Sequence, residues 1–197
     1  ATYAVAIAQE LGLADERVET IRQSALLHDI GKIAIPESIL HKPSKLTALE
    51  YEFLKKHTDI GADFIETSHG LRHLAPFIRH HHERWDGRGY PAGLAGEAIP
   101  LEARILNVCD SVEAMASDRP YSRAMSVEEI IKEVVRCSAG QFDPTVAKAF
   151  VRIAEREGAQ LVVNSARAVV AQYADHEWDI KGLKLEHFAE IYGMATA

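Results

Sequence analysis

The segment His28-Asp29-Ile30-Gly31-Lys32 constrains this chain more than any other stretch. An imidazole nitrogen beside a carboxylate suits a first-row divalent ion such as iron, manganese or zinc, and a shared aspartate can bridge two such ions. The lysine that follows can pair with a phosphate. Most adjacent His and Asp residues are helix-end pairs without chemistry, so the metal hypothesis depends on what the rest of the chain supplies.

Histidine is the unusual part of the composition. The chain of 197 residues has ten histidines, and eight of them lie between residues 28 and 82, among them His28, His57, His80, His81 and His82. With 47% hydrophobic residues, the chain can bury one sizeable core, as one domain or one domain with an appendage. The net charge of −7 argues against binding to a nucleic-acid polymer, which needs a broad basic surface. A small anionic ligand needs only local positive charge.

The cysteines and the N-terminus indicate the compartment. Cys109 and Cys137 are too far apart for a CxxC motif and too few for a disulfide framework, so we expect small buried thiols in a reducing cytoplasm. No apolar run reaches membrane-spanning length, and no charged leader precedes an apolar block. The chain starts without Met and already in helical pattern, from which we expect an excised domain or a missing upstream region.

Helical spacing of apolar residues predicts a first helix over 3–11, ended by Gly12. Asp15 is expected to cap a second helix, which delivers His28 and Asp29 at its C-terminal end. Two ligands at a helix end can face one cavity more easily than adjacent residues in mid-helix, which point about 100° apart.

The next segments also place histidines near loops. Residues 33–46 contain two prolines and predict a loop over the site, with one helical turn at 38–41. A capping box at 47–50 opens a helix to Phe64 that carries His57 near its apolar side. A lone histidine there is usually a satisfied core or surface residue, but its neighbours in sequence favour a ligand.

A second group of imidazoles stands beside a glycine-rich loop. Residues 76–85 predict a helical piece containing the run 80–82, and residues 86–93 cannot remain helical because they contain three glycines and a proline. The alternative is an exposed metal-scavenging histidine run. The run is short and lies in apolar sequence, which favours a wall of a site.

Asp110 lies in the middle of a strongly apolar helix predicted over 101–117. A carboxylate there carries a large burial cost unless a metal or a base neutralises it. The loop that follows contains Arg119 and Arg123, and guanidinium is the group that binds phosphate bidentately. Two exposed loop arginines are the alternative interpretation.

The remaining pattern is helical. A capping box at 126–129 predicts a helix to Cys137, and Asp143-Pro144 predicts another to about Glu157. No segment alternates as a strand and none repeats at a fixed period, so the fold class predicted is all α. Residues 159–197 suggest two more helices without chemistry, which could pack on the core, pair with a second copy in a homodimer, or form a linker.

Six segments of this chain, in order, resemble the HD-GYP domains of bacterial signalling: residues 28–32, 57–61, 81–91, 103–110, 117–121 and 140–144. The resemblance covers about residues 1–152. It implies an HD-superfamily helical bundle whose N-terminal start is missing, followed by a C-terminal helical extension over 153–197.

The resemblance also implies a function. Members of the family are cytoplasmic phosphodiesterases that open cyclic di-GMP to pGpG, and some continue to GMP. Their metal ligands correspond to six residues of this chain, with Asp29 as the bridge: His28, Asp29, His57, His81, His82 and Asp110. Two divalent ions are expected, and these nitrogen and oxygen ligands favour iron or manganese over structural zinc. Lys32, Arg119, Arg123 and Tyr90 correspond to substrate-binding positions, and Asp29 and Lys32 to the catalytic ones.

Some features of the chain depart from the family pattern. Some members hold a third metal through Glu and His ligands upstream of the HD pair, at positions that would precede residue 1 of this chain. A third ion in a full-length protein therefore stays open. Ser122 stands where a basic residue is common, and Glu113 replaces a frequent aspartate.

Two further functions compete with the enzyme hypothesis. One is an interaction module whose Gly89-Tyr90-Pro91 loop docks a diguanylate cyclase (GGDEF) domain. The other is hydrolysis of a different cyclic dinucleotide or nucleotide. All six ligands are present, which favours the active enzyme.

Overall fold

The structure, a computed structural model, describes residues 1–117 and 123–158. Nine α-helices follow one another in this part of the chain: α1 Thr2–Glu10, α2 Asp15–Leu27, α3 Glu37–Leu40, α4 Ala48–Lys55, α5 His57–Glu66, α6 Ala75–Arg79, α7 Leu101–Ala116, α8 Val127–Cys137 and α9 Pro144–Glu157. Short 3-10 helices lie at Ile30–Ala34, Arg72–Leu74 and Gly96–Ala98. Over the same residues the only β pairing is one isolated bridge between Ser138 and Phe142, so the all-α prediction is confirmed.

The larger of two apolar clusters is built around α1. This helix packs against α2, α7 and α9, and its buried residues recur at helical spacing: Tyr3, Ala4, Ile7 and Ala8. α7 crosses the cluster with buried Ile105, Leu106 and Val108, while α8 and α9 cover its other side. α7 thereby carries Asp110 from the core towards the second cluster.

The smaller cluster joins α5 and α6 to the 3-10 helix Ile30–Ala34. The backbones meet at Gly31, where an added Cβ would overlap the carbonyl oxygen of His57 and would lie 2.5 Å from the nitrogen of Gly61. Only glycine allows this approach, because every other residue carries a Cβ. The contact holds the segment that follows Asp29 directly against the first turn of α5.

Several predicted boundaries are confirmed. Thr47 and Ser126 each form the complete capping box, in which the side chain accepts from the backbone N–H three residues on and the glutamate there accepts in return. Asp143 caps α9 by accepting from the N–H of Thr145, with Pro144 as the first helical residue. Local hydrogen bonds decide these helix starts, which is why sequence alone predicts them.

Other boundaries were predicted wrongly. Asp15 is the first residue of α2, and Ala14 is the N-cap. The Asp15 carboxylate therefore does not cap the helix, but it interacts favourably with the positive end of the helix dipole. The helix predicted from the capping box to Phe64 is two helices, α4 and α5, divided at Lys56, and side-chain donors of His57 and Thr58 reach the carbonyls of Leu54 and Lys55.

The helical piece predicted over 76–85 is shorter than expected, since α6 ends at Arg79. The side-chain amide of Asn107 binds the carbonyls of His81 and Glu83, which directs the backbone away from the helix.

Cys109 is buried as expected, whereas Cys137 is only partly buried. Within the ranges above, no helix combines the length and apolarity needed to cross a membrane. The helices expected within 159–197 lie outside the described residues.

Replacing Gly31 with alanine tests the backbone contact. We expect Gly31→Ala to lower the free energy of unfolding by about 1–3 kcal/mol, because the new methyl group must displace the α5 backbone. The matched control is Gly70→Ala, where an added Cβ meets nothing within 4 Å, and a change within about 0.5 kcal/mol is expected. Urea unfolding of both variants measures the difference. Equal stability of the two would contradict the role of this contact.

Candidate metal centre

Four separate elements bring the six predicted ligands together. His28 and Asp29 follow α2, His57 opens α5, the pair His81-His82 follows α6, and Asp110 lies in α7. The imidazole ring centroids are close: 5.1 Å for His28 and His81, 5.4 Å for His57 and His81, and 4.1 Å for His81 and His82. Residues far apart in sequence therefore line one site.

Three of the imidazoles are oriented by the same hydrogen bond. The Nδ1 atom of each lies against the backbone carbonyl three residues earlier: His28 against Ala25 at 3.0 Å, His57 against Leu54 at 2.7 Å, and His81 against Ile78 at 2.6 Å. A carbonyl oxygen only accepts, so Nδ1 carries the proton in each ring. The Nε2 lone pairs are left to face the site, as in metal-binding histidines.

Four buried atoms that face the site lack protein partners. The Nε2 atoms of His28, His57 and His81 and the Oδ1 atom of Asp29 are buried and have no hydrogen-bond partner among the residues described. Leaving buried polar atoms unpaired costs free energy, and a bound cation removes that cost because all four atoms are electron-pair donors. The donor set therefore fits a divalent metal.

Asp29 stands between two groups of nitrogen atoms. Its Oδ1 lies 3.5 Å from His57 Nε2, and its Oδ2 lies 3.5 Å from His28 Nε2. Two sets of potential ligands, each with atoms within 4.8 Å of one another, share one histidine: His28, Asp29 and His81, and His57, His81 and His82. Each of the two oxygens of Asp29 therefore faces a different histidine.

Asp110 and Lys32 complete the charge of the site. Asp110 Oδ1 lies 3.9 Å from His28 Nε2, and Lys32 Nζ lies 2.6 Å from Asp29 Oδ2. The side chains of Lys32, Asp29 and Asp110 are each about a third exposed, at 37%, 36% and 32%, whereas His57 and His81 are almost fully buried. The site is therefore open on the lysine side and closed on the histidine side.

Burial shifts the pKa values of the imidazoles. It lowers the pKa of His57 and, with the charge of His82, places the pKa of His81 well below its ordinary value. Burial also lowers the pKa of His82 to about 4. Burial opposes the charged form of His28 as well, but Asp110 and Asp29 outweigh it, so the pKa of His28 is raised. The first three rings are neutral near pH 7, which is the form that binds metals.

The pKa of Asp110 moves in the direction that favours ionisation. Its burial would raise the pKa, but the nearby positive charges of His28, His82 and Lys32 lower it to about 2. Asp110 is thus a carboxylate at every pH at which the protein would work, as a metal ligand must be.

Two supporting residues had no role in the sequence analysis. The Asn107 amide donates to the carbonyls of His81 at 3.0 Å and Glu83 at 3.1 Å, which orients the histidine backbone. The buried Glu83 carboxylate accepts from the N–H groups of Ala92 at 2.7 Å and Leu94 at 3.0 Å, which holds the glycine-rich loop. Asn107 is a polar residue within apolar sequence, the same signal that singles out Asp110, whereas Glu83 lies among histidines and charged residues and has no such signal.

The loop places Tyr90 against the site. Its ring stacks on His82, with centroids 4.9 Å apart and planes at 29°, and burial raises the pKa of its hydroxyl. Gly89 allows the loop to pack this closely, because a Cβ at residue 89 would overlap the backbone around Glu83. Arg123 is exposed at the start of the segment that leads to α8, and Arg119 lies outside the described residues.

Comparisons with known proteins agree with this architecture. Residues 1–146 match the HD domain family. The cyclic di-GMP phosphodiesterase response regulator RpfG of Xanthomonas campestris is 44% identical over 148 residues, covering 74% of this chain and 39% of that protein. A cyclic di-GMP phosphodiesterase of Thermotoga maritima is 43% identical over 149 residues, covering 75% of this chain and 40% of that protein.

A Vibrio cholerae relative is named for a different substrate. The 3'3'-cGAMP-specific phosphodiesterase 2 of that organism is 37% identical over 150 residues, covering 75% of this chain and 29% of that protein. Among solved structures, a cyclic GMP-AMP specific phosphodiesterase of V. cholerae superposes with a TM-score of 0.63 at 18% identity, covering 96% of this chain and 50% of that one. That likeness concerns the fold alone.

These observations define the class of protein: a helical domain with a histidine and aspartate centre that belongs to the HD domain family. Within that family the chain is an HD-GYP domain, since it carries the Gly89-Tyr90-Pro91 segment and matches cyclic di-GMP phosphodiesterases at about 43% identity. The chain spans about two fifths of the length of the relatives from X. campestris and T. maritima.

Acidification should destabilise the metal-free protein. The lowered pKa values of His57, His81 and His82 mean that the unfolded state takes up protons first, so stability falls as the pH drops below about 6.5, the value for unfolded histidine. His28 acts in the opposite direction but is one group against three. The contribution of Asp110 is lost only as the pH falls through its folded value of about 2.

Chemical denaturation between about pH 7.5 and 5 measures this effect. His82→Gln should flatten the pH dependence, whereas the control His73→Gln should leave it unchanged because that side chain is exposed. A wild-type stability that rises on acidification would be the contrary result.

Removing the Asn107 amide should weaken metal binding. Asn107→Leu keeps the branched shape of the side chain but leaves the His81 and Glu83 carbonyls unpaired, so we expect a loss of about 1–3 kcal/mol of stability and about tenfold to a hundredfold of metal affinity. Calorimetric titration with Mn²⁺ measures the affinity. Gln9→Leu on exposed α1 surface is the control, and equal affinity in both variants would argue against a supporting role.

Proposed function

We propose that this chain is the catalytic domain of a metal-dependent phosphodiesterase that hydrolyses cyclic di-GMP to pGpG. The observation that carries the proposal is the convergence of buried, unpaired Nε2 atoms on the two oxygens of Asp29. The names of the relatives from X. campestris and T. maritima support the substrate. Hydrolysis of pGpG to GMP would be a second step, and chromatography of the products decides whether it occurs.

The metal ligands in this proposal are the six residues expected from the sequence. Two divalent ions, iron or manganese, would be held with Asp29 between them and with neutral imidazoles as the other principal ligands. A longer chain could supply ligands for a third ion from upstream. The full set of ligands is His28, Asp29, His57, His81, His82 and Asp110.

Such ions, when bound, supply Lewis acidity and lower the pKa of water near the phosphodiester. The rest of the chemistry belongs to the protein. Lys32 lies on the open side of the site, where its ammonium can stabilise negative charge on the non-bridging phosphate oxygens. The buried walls formed by His57 and His81 exclude water from the opposite side.

The substrate would enter from the exposed side and lie against the glycine-rich loop. Tyr90, which is packed on His82, would flank it. Arg119 and Arg123 would hold phosphate oxygens, because guanidinium groups match their geometry. The placement of Arg119 in this role rests on the sequence resemblance.

Domain limits and partners are part of the proposal. We assign residues 1–152 to the catalytic domain and 153–197 to an extension, although α9 continues through this boundary to Glu157. A cytoplasmic setting is consistent with two free cysteines.

Docking of a GGDEF domain through Gly89-Tyr90-Pro91 and homodimer formation are separate proposals. The stacking of Tyr90 on His82 favours a role of that ring in the site rather than in docking alone.

Hydrolysis of a different cyclic dinucleotide is the second candidate function. The 37% identity to a 3'3'-cGAMP-specific phosphodiesterase favours it, since that relative aligns over the same share of the chain. Both substrates present phosphodiesters to the same centre, so the distinction concerns base recognition.

Turnover by the metal-loaded protein tests the function. We expect protein loaded with Mn²⁺ or Fe²⁺ to convert cyclic di-GMP to pGpG, and Asp29→Asn to lower kcat by at least about a hundredfold because the bridging charge is lost. Asp59→Asn is the matched control, because Asp59 of α5 pairs with Arg79 of α6. This variant should retain activity. Product chromatography and metal analysis of anaerobically purified protein provide the readouts.

Several results would contradict the proposal. They include fully loaded protein that turns over no cyclic dinucleotide, and Asp29→Asn protein with unchanged metal content and rate. A higher kcat/KM for 3'3'-cGAMP than for cyclic di-GMP would replace the first candidate function with the second.

A further inference from the structure

α4 contributes no buried residue to either apolar cluster, yet its first turn is well fixed by hydrogen bonds. The capping box of Thr47 and an ion pair between Lys42 and Glu50 at 2.6 Å fix its first turn. A helix without a fully buried residue contributes little to the core. Its position beside the glycine-rich loop suggests that its side chains contact something other than the protein core.

Tyr51 and Lys55 lie on one face of α4, four residues apart, and this face is directed at the metal centre. Lys55 Nζ is 5.5 Å from the ring centroid of Tyr90 and 5.6 Å from that of Tyr51. Tyr90 in turn stacks on the predicted ligand His82. An ammonium group between two aromatic rings therefore extends the site outward from the metal ligands.

This combination matches the chemistry of a guanine base. Bases stack on aromatic side chains, and Tyr51 is 48% exposed and available for stacking. An ammonium donates to the O6 and N7 acceptors of guanine, whereas adenine presents an amino donor in place of O6. An ammonium that contacts this edge of the base would discriminate between the two purines, while stacking on the ring of Tyr51 would not.

Lys55 is available for this contact. Its other partner is Glu52, at 2.6 Å, and the Glu52 side chain is 63% exposed. Ion pairs in water contribute little, so exchanging Glu52 for a base costs little. Phe53 of α4 and Lys56, the residue that follows α4, line a separate cavity of about 540 Å³ with Asp59, Asp63 and Arg79.

We propose that Tyr51 and Lys55 of α4, with Tyr90, form a guanine-binding subsite at the rim of the metal centre, in which Lys55 selects guanine over adenine. The inference rests on the proposed function for its placement of the phosphodiester. It adds a residue that decides which cyclic dinucleotide is accepted. A contact of Lys55 with the second phosphate of the substrate is the competing arrangement.

Base selectivity in steady-state kinetics tests the subsite. Lys55→Met should raise KM for cyclic di-GMP about tenfold to a hundredfold and leave KM for cyclic di-AMP within about twofold, with kcat nearly unchanged. Lys55→Arg should recover most of the loss, since guanidinium also donates to O6 and N7. Lys56→Met removes the same charge from the cavity side and should behave as wild type.

Stacking is tested separately at Tyr51. Tyr51→Ala should raise KM for guanine and adenine dinucleotides alike, because stacking tolerates every base. Tyr51→Phe should keep the wild-type values. Thermal unfolding checks that the variants remain folded, as expected for changes on a helix without buried residues.

Direct binding separates failure of the subsite from failure of the proposed function. If wild-type protein is inactive on all cyclic dinucleotides, calorimetric binding of cyclic di-GMP to wild-type and Lys55→Met protein still decides the inference. Equal affinity of these two proteins overturns the subsite. An equal loss for cyclic di-GMP and cyclic di-AMP in Lys55→Met also overturns it, because Lys55 would then contact a phosphate.

Discussion

The backbone contact between Gly31 and the first turn of α5 is the constraint on which the site depends. A Cβ at Gly31 would overlap the His57 carbonyl, so the 3-10 helix after Asp29 can lie against α5 only without a side chain there. This approach sets Asp29 within 3.5 Å of His57 Nε2. Two predicted ligands that are far apart in sequence thus become neighbours through a backbone contact to which neither side chain contributes.

The site is costly for the metal-free fold. Three imidazoles donate through Nδ1 to the carbonyls of the preceding turn and leave Nε2 buried without a partner in the described part of the chain. Burial also keeps His81 and His82 neutral by lowering their pKa values. The local bonds fix the ring orientations, and the unpaired atoms make binding of a cation favourable. Pre-orientation and affinity therefore have one physical origin.

Features that depend on neighbouring residues were predictable. The capping boxes at Thr47 and Ser126 and the start of α9 at Asp143 form as expected, since a few consecutive residues decide them. Features that depend on distant residues were not. The end of α6 reflects the bonds of Asn107, which lies more than twenty residues away, and the roles of Glu83 and Lys55 depend on a loop and a helix that meet only in the folded chain.

The sequence by itself determined the helical class, the identity of the six candidate ligands and the resemblance to HD-GYP domains, because residue types and short spacings carry that information. Only the tertiary structure decided which oxygen of Asp29 faces which imidazole, how deeply each ring is buried and which face of α4 meets Tyr90. These are distances between separate elements, and they are set by packing of both apolar clusters and by the close approach at Gly31 rather than by any local pattern.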